Sequence, residues 1–471
     1  MACTKQVKIN MQDIGDSLEN SLTRRLRELP EQPRENSRIT IPRIPIDILE
    51  SNNSSLYYEP RTVSIGPYYH GKERYRDTEQ HKMRYLRDFL SRHQVRLEVL
   101  VKEIRALEAP ARQCYSGFIC LNSERFIEML LLDGCFILEV WSKKLNKEND
   151  ALIDISWIKN RIVTDFLLIE NQIPFFVIHK LYSVSVSYRG LLSEKECRDQ
   201  ILLKLTDFVQ WRAPMWVWPR QFETPQCEIH HLLHFYQEFY VPKKTKVQNS
   251  SDGTMQSSIA RLKSFFSGKA EQESPVYILP SATDLREAGV VFRRKQLPDH
   301  FLDITFKNGI FEMPMIGTGL EEKITILNLI AWNSKIALEH QKQSDNSSHL
   351  YLYPLTSYIM LLESLLRTKN DIQLLKARGI IENNDPSDEQ LANFFNHVGD
   401  LNVICGEFHY FADLFSDIKR YYDRRWHRHR AKLKREYFHS PWSVISVVAA
   451  TMLLFLTGIQ AFCAIYPVAC H

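Results

Sequence analysis

One stretch constrains this chain more than any other: residues 442–466, WSVISVVAATMLLFLTGIQAFCAIY, carry no charge. A helix rises about 1.5 Å per residue, so roughly 20 apolar residues cross the hydrocarbon core of a bilayer. Trp442 and Tyr466 stand at its two ends, where amphipathic rings favour the headgroup layer, and Leu453, Leu454 and Phe455 lie in its most apolar run. The reading is one transmembrane helix over 441–466 and a short tail over 467–471. Just before it, residues 419–435 read KRYYDRRWHRHRAKLKR. Arg424, Arg425, Arg428, Arg430, Lys432, Lys434 and Arg435 form a basic flank there, and Lys and Arg beside a span mark the cytoplasmic side. Anionic inner-leaflet lipids attract such residues at about 1 kcal/mol each. The expectation is a single-pass protein of the plasma membrane or an endomembrane, its N-terminal bulk cytosolic. Membrane lipids are then partners through the span and the flank.

Elsewhere the charge is nearly balanced. The net charge over 471 residues is +4, which does not point to nucleic acid, since that needs a clearly basic face. Nine cysteines are scattered without any C-x-x-C pair, so they read as mostly reduced and buried. No signal-peptide run opens the chain. Residues 1–38 are polar and broken by Pro30 and Pro33, and are read as a flexible N-terminal arm. Residues 39–440 form the folded region, with a polar insertion at 243–273.

Within that region helical periodicity dominates. Phe126, Met129, Leu130, Ile137, Val140 and Trp141 recur at helical spacing in residues 124–145, apolar on nearly all sides, which predicts a central buried helix. Residues 152–169 repeat the pattern up to Asn171-Gln172-Ile173-Pro174, and a new helix is expected from Pro174 to about residue 182. Helices are also expected over 358–366, over 371–378 with Gly379 as a cap, and behind a capping box at Ser387 and Gln390. A long one is read over 408–435. Leu302, Ile304 and Phe306 alternate with polar residues before Asn308-Gly309, a hairpin signal. The fold class is thus a mainly α-helical globular domain with a small β-hairpin element, plus one C-terminal transmembrane helix.

Chemistry is harder to find. His230 and His234 are four apart and suit one helix face, as metal ligands do, but no H-E-x-x-H frame or third ligand follows. The plainer reading packs these imidazoles beside Leu232, Leu233, Phe235 and Tyr236. No nucleophile elbow or phosphate loop occurs. No catalytic, cofactor-binding or metal residue is assigned.

Several ordered blocks resemble one known family. They are VSIGPYYHG (63–71), MLLLDGCFILE (129–139), DFLLIENQIPFFVIHKL (165–181), HLLHFY (231–236) and LPSATDLREAGVVF (279–292), together with the C-terminal segment. On them the chain resembles the plant family called domain of unknown function 247, over roughly residues 39–466. The resemblance implies a plant protein, usually with one C-terminal transmembrane helix and no established enzymatic activity. Some grass members of the family are linked to pollen-side self-incompatibility. No family catalytic residues exist to carry across. The expectation is a membrane-anchored interaction or recognition module acting on an unknown protein partner. The alternative is a membrane-associated enzyme, a hydrolase or transferase whose site is assembled from distant residues.

Overall fold

The computed structural model describes residues 39–50, 55–187, 193–212, 227–240, 279–342, 354–382, 387–400, 410–423 and 441–465, and besides these Glu19, Asn20, Thr23 and Pro225. The N-terminal arm, the 243–273 insertion, the tail and the basic flank lie outside the described residues, apart from those three positions near the start and Lys419–Asp423 ahead of the flank's arginines. Helices α1 (Arg76–His93), α2 (Leu97–Ala106) and α3 (Ser123–Leu145) are followed by α4 (Ser156–Asp165), α5 (Phe175–Ser187), α6 (Glu194–Arg212) and α7 (Leu232–Tyr240). Strands β1 (Val291–Arg294), β2 (Thr305–Lys307) and β3 (Ile310–Met313) come next. Then follow α8 (Leu320–Lys342), α9 (Pro354–Leu365), α10 (Lys369–Ala377), α11 (Asp388–Asp400), α12 (Ala412–Asp423) and α13 (Pro441–Ile465).

Helix α3 is the hub, packing against α1, α2, α5 and α6. All six of its predicted apolar positions are buried, and so are Asp133 and Glu139 in the same run. Asn122 starts the helix by accepting from the Arg125 amide, as a short polar cap does. Gly134 lets α5 come close, since a Cβ there would lie 2.3 Å from Leu181 Cδ1.

The expected 152–169 helix is shorter, only Ser156–Asp165. It stops because its last carbonyls turn to side chains further on. Asn171 Nδ2 donates to the Asp165 carbonyl at 2.9 Å, and Gln172 Nε2 to those of Phe166 and Leu168 at 2.7 and 2.8 Å. These bonds satisfy groups that a helix end leaves open. Helix α5 begins just after Pro174, as expected. Helix α10 ends before Gly379, which has φ +66°, and at its start Thr368 and Asp371 form a capping box that the sequence reading overlooked. At α11 the Gln390 amide donates to Ser387 Oγ at 3.3 Å. Of the long helix read over 408–435, α12 covers residues 412–423 and the rest lies outside the described residues.

The predicted hairpin forms. Strands β2 and β3 pair antiparallel around Asn308 and Gly309, with φ +52° and +77°, the positive pair that a type I′ turn requires. A third strand, β1, adds parallel to β3 and gives the order β1-β3-β2. It was not expected, because four residues ending in Arg293-Arg294 carry no alternation.

The transmembrane helix of the expected fold class is overturned. Pro441–Ile465 does form a 25-residue helix, yet among the described residues no helix is long and apolar enough to cross a membrane. Thr451, Thr457 and Gln460 interrupt the apolar surface of α13. Leu453, Leu454 and Phe455 are exposed, while the side chains of Trp442 and Tyr466 lie outside the described residues. The supported class is a mainly helical globular fold with a small sheet. Among the described residues, Cys135 and Cys197 are buried, Cys114 is half-buried, and Cys120 and Cys227 are exposed.

Gly309 packs against α12, where a Cβ would meet Tyr421 Oη at 2.5 Å, and Tyr421 in turn sits edge-on to Phe306. Left-handed backbone costs an L-residue about 1 kcal/mol or more, and the displaced ring adds to it. Gly309→Ala is therefore expected to lower stability by roughly 1–3 kcal/mol in urea unfolding, without changing the helical circular dichroism of the folded state.

Candidate functional site

The most densely polar region lies beneath the strip 61–69. That strip has little regular structure, so its amides need partners. It finds them in side chains from α3 and from the turn between α4 and α5. Asp165, fully buried, accepts from the amides of Arg61, Thr62 and Val63 at 3.0, 2.7 and 2.9 Å. Asn171 Oδ1 accepts from the Ile65 amide at 2.7 Å, and its Nδ2 donates to the Val63 carbonyl at 3.0 Å. Asp133 Oδ2 accepts from the Gly66 amide at 2.7 Å. Glu170 accepts from the Ile44 amide and from Tyr69 Oη, each at 2.6 Å.

At the centre sits Lys82, wholly buried. Its ammonium donates to Asp133 Oδ1 at 2.6 Å, Glu79 Oε1 at 2.6 Å and the Ser64 carbonyl at 2.5 Å. Three acceptors match its three protons. Burial alone would lower the Lys82 pKa, but the Asp133 and Glu79 carboxylates hold it above the usual value. Burial pushes Asp165 up to about 6, against the pull of its three amides. A neighbouring ion network ties α1 to α3: Arg92 bridges Glu139 and Glu148, while Lys143 bridges Asp88 and Asp150.

Gln172 carries the network onward to the histidines. Its Oε1 accepts from the Leu232 amide at 3.1 Å, the first of α7. His231 Nδ1 accepts from the His234 amide at 3.1 Å, so two of the helix's open donors are capped by side chains. His231 and His234 are buried against Trp332 of α8, with ring centroids 4.4 and 5.3 Å from the indole. His230 lies ahead of the helix, its ring stacked on His234 at 4.9 Å. The imidazoles of His231 and His234 are packed in the interior, and they sit at a capped helix start rather than on one paired face. What His234 meets instead is Glu238, one turn on, and Cys227. Cys227 Sγ donates to Glu238 Oε2 at 3.2 Å, His234 Nε2 lies 3.8 Å from Glu238 Oε1, and all three ligand atoms fall within 4.8 Å of one another. The thiol bonds the carboxylate rather than the imidazole, so the order is not that of a nucleophile and its base.

Leu453, Leu454 and Phe455 take no part in either cluster, while the basic flank at 424–435, Tyr466 and the side chain of Trp442 lie outside the described residues. Of the residues that take part, the histidines stand out in sequence, whereas the carboxylates do not, although Asp133, Asp165 and Glu170 each stand beside apolar residues. A lone carboxylate there signals a buried partner. Cys227 had no such signal, since only folding brings it to α7.

The strip 63–69 and the segments 129–139, 165–174 and 231–234 therefore form one continuous polar seam. A family model described as a plant protein of unknown function, domain of unknown function 247, matches residues 41–456. The chain belongs to that family. It is 28% identical over 422 residues to the UPF0481 protein At3g47200 of Arabidopsis thaliana, covering 87% of this chain and 83% of the relative. It is 23% identical over 523 residues to the putative UPF0481 protein At3g02645 of the same plant, covering 93% and 92%. No solved structure matches. The family match opens at Ile41, which bridges to Tyr115 beside the seam.

Removing one partner of a buried ion pair strands the other, at about 3–5 kcal/mol. Lys82→Met is expected to destabilise by that order in urea unfolding. Lys82→Met with Asp133→Leu should lose less than the sum of the two single variants, the signature of direct coupling. For Asp165 the folded pKa is raised from 3.8 to about 6, so its contribution is fully present below about 4 and is lost as pH rises through 6. Asp165→Asn should flatten that part of the stability–pH curve. It should also lower stability most clearly at acid pH, because an amide offers one acceptor oxygen where three N–H groups converge on two.

Proposed function

We propose that this plant protein is a protein-recognition module that presents a rigid surface to a partner protein. One observation carries the reading: the charged groups of the seam are directed at the chain's own backbone, whereas Trp157 on α4 stands 61% exposed. The Arg161 guanidinium lies 5.3 Å over its ring, and Ile155 beside it is exposed as well. Trp and Arg are the residues on which binding energy concentrates when a partner covers them. Helix α4 ends on Asp165, the residue that anchors the 61–63 strip, so this face is held by the most constrained part of the fold. A rigid face limits the ordering entropy of association.

A second reading, an enzyme of hydrolase or transferase type, draws on the thiol of Cys227 meeting the carboxylate of Glu238, beside His234 on the same helix α7. The two readings separate on one comparison. With recognition, Trp157→Ala and Arg161→Ala each weaken capture of a partner from plant extract by about tenfold or more, while unfolding midpoints stay unchanged, and Cys227→Ser captures normally. With catalysis, Cys227→Ser abolishes turnover of a substrate and the Trp157 variant retains it.

A further inference from the structure

We infer that Cys227, His234 and Glu238 form a binding site for a borderline divalent transition-metal ion of the zinc class. The inference stands apart from the recognition reading and does not depend on it.

The donor set is one thiol, one imidazole and one carboxylate. Thiolate and imidazole together select zinc-like ions over magnesium or calcium, which favour oxygen throughout. In a tetrahedral zinc site the bonds are about 2.3 Å to sulfur and about 2.0–2.1 Å to nitrogen and oxygen, so neighbouring ligand atoms sit roughly 3.3–3.6 Å apart. Here sulfur to Glu238 Oε2 is 3.2 Å and His234 Nε2 to Glu238 Oε1 is 3.8 Å. Both lie within a few tenths of an ångström of that spacing. The three ligand atoms together lie within 4.8 Å of one another, so the side chains draw in by up to about an ångström to close on an ion.

Their support is uneven in a useful way. His234 is held by Trp332 on one side and by the stacked His230 ring on the other. Helix α7, with its capped start, carries both His234 and Glu238 at i and i+4, which puts them on one face. Cys227 arrives from the preceding loop, whose path is fixed nearby: Arg198 of α6 donates to the Cys227 carbonyl at 2.7 Å. Cys227 is exposed, so an ion can enter from solvent. Three protein ligands leave a fourth position for water or for a group brought by another molecule.

One contact opposes binding and sets its character. The His230 amide donates to His234 Nδ1 at 3.2 Å, so in the metal-free chain the ring proton sits on Nε2. For Nε2 to bind an ion this proton moves to Nδ1 and the His230 contact is given up. The Cys227 thiol loses its proton to solvent, and the sulfur lone pair forms the metal bond. Near neutral pH the balance is one proton released per ion, with no change of oxidation state. Binding then weakens as pH falls, and it shifts the backbone at His230.

The test is titration of the full-length, reduced protein with Co²⁺, an optical stand-in for Zn²⁺, followed by competition with Zn²⁺. The expected result is saturation at one ion per chain, a thiolate-to-cobalt charge-transfer band, its loss on adding Zn²⁺, and release of about one proton. Cys227→Ser should abolish the band and Glu238→Gln should weaken binding by about tenfold or more. Both replace surface ligands, and unchanged circular dichroism shows that they fold. Zn²⁺ should also slow alkylation of Cys227 while leaving the exposed Cys120 unaffected. Absence of saturable binding by the folded chain would overturn the inference. So would a charge-transfer band that survives in Cys227→Ser, since one of the other eight cysteines would then be the ligand.

Discussion

An ammonium with no access to water is the constraint around which this molecule is arranged. Lys82 sits among apolar side chains and has three protons to place; each goes to a different kind of acceptor, an aspartate on α3, a glutamate on its own helix and a backbone carbonyl. Leaving any of them unmet would cost far more than a surface ion pair yields. The strip that supplies the carbonyl must therefore lie where it does. Asp133 extends the requirement, because its second oxygen takes the Gly66 amide. Gly66 has φ +78°, and a Cβ there would come 2.3 Å from the Gln172 carbonyl oxygen, so the strip and the α4–α5 turn fit only in close contact.

From this centre the polar seam runs in both directions. Glu170 reaches the start of the fold at Ile44, and Gln172 reaches the start of α7. Asn328 of α8 joins from a third side, accepting from the Ile169 amide and donating to the Tyr57 carbonyl. Segments more than 250 residues apart in the chain are thus held by side chains that read backbone. Apolar packing of α1, α2, α5 and α6 on α3 supplies the bulk of the burial, and the seam selects among the ways in which that packing could be arranged.

The elements most legible in sequence were those governed by local rules. The α3 stripe, the Pro174 boundary, Gly379 and the Asn308-Gly309 turn follow from periodicity or from backbone preferences that neighbours in the chain determine. Elements set by distant partners are not legible in this way. The α4 helix was read too long because its stop is made by Asn171 and Gln172 folding back, which periodicity in Ile162, Phe166 and Ile169 does not reveal. Strand β1 exists only because β3 offers it an edge. The transmembrane expectation rests on the length and apolarity of 442–466, its aromatic ends and the basic run before it, but no described helix is long and apolar enough to cross a membrane. At the histidines, the packed reading holds for His231 and His234, which are buried, while spacing within the helix does not reveal that Cys227 reaches Glu238 beside His234.

The clamp on residues 61–65 addresses amide N–H and C=O groups rather than the side chains of that strip. Every amino acid except proline offers the same N–H, so the lock does not depend on which residues it holds. Thr62, held through its amide and its carbonyl, can change identity while the path of the chain stays put. A scaffold of this kind separates its architecture from the lettering displayed along its edge, and lets a lineage vary one without rebuilding the other.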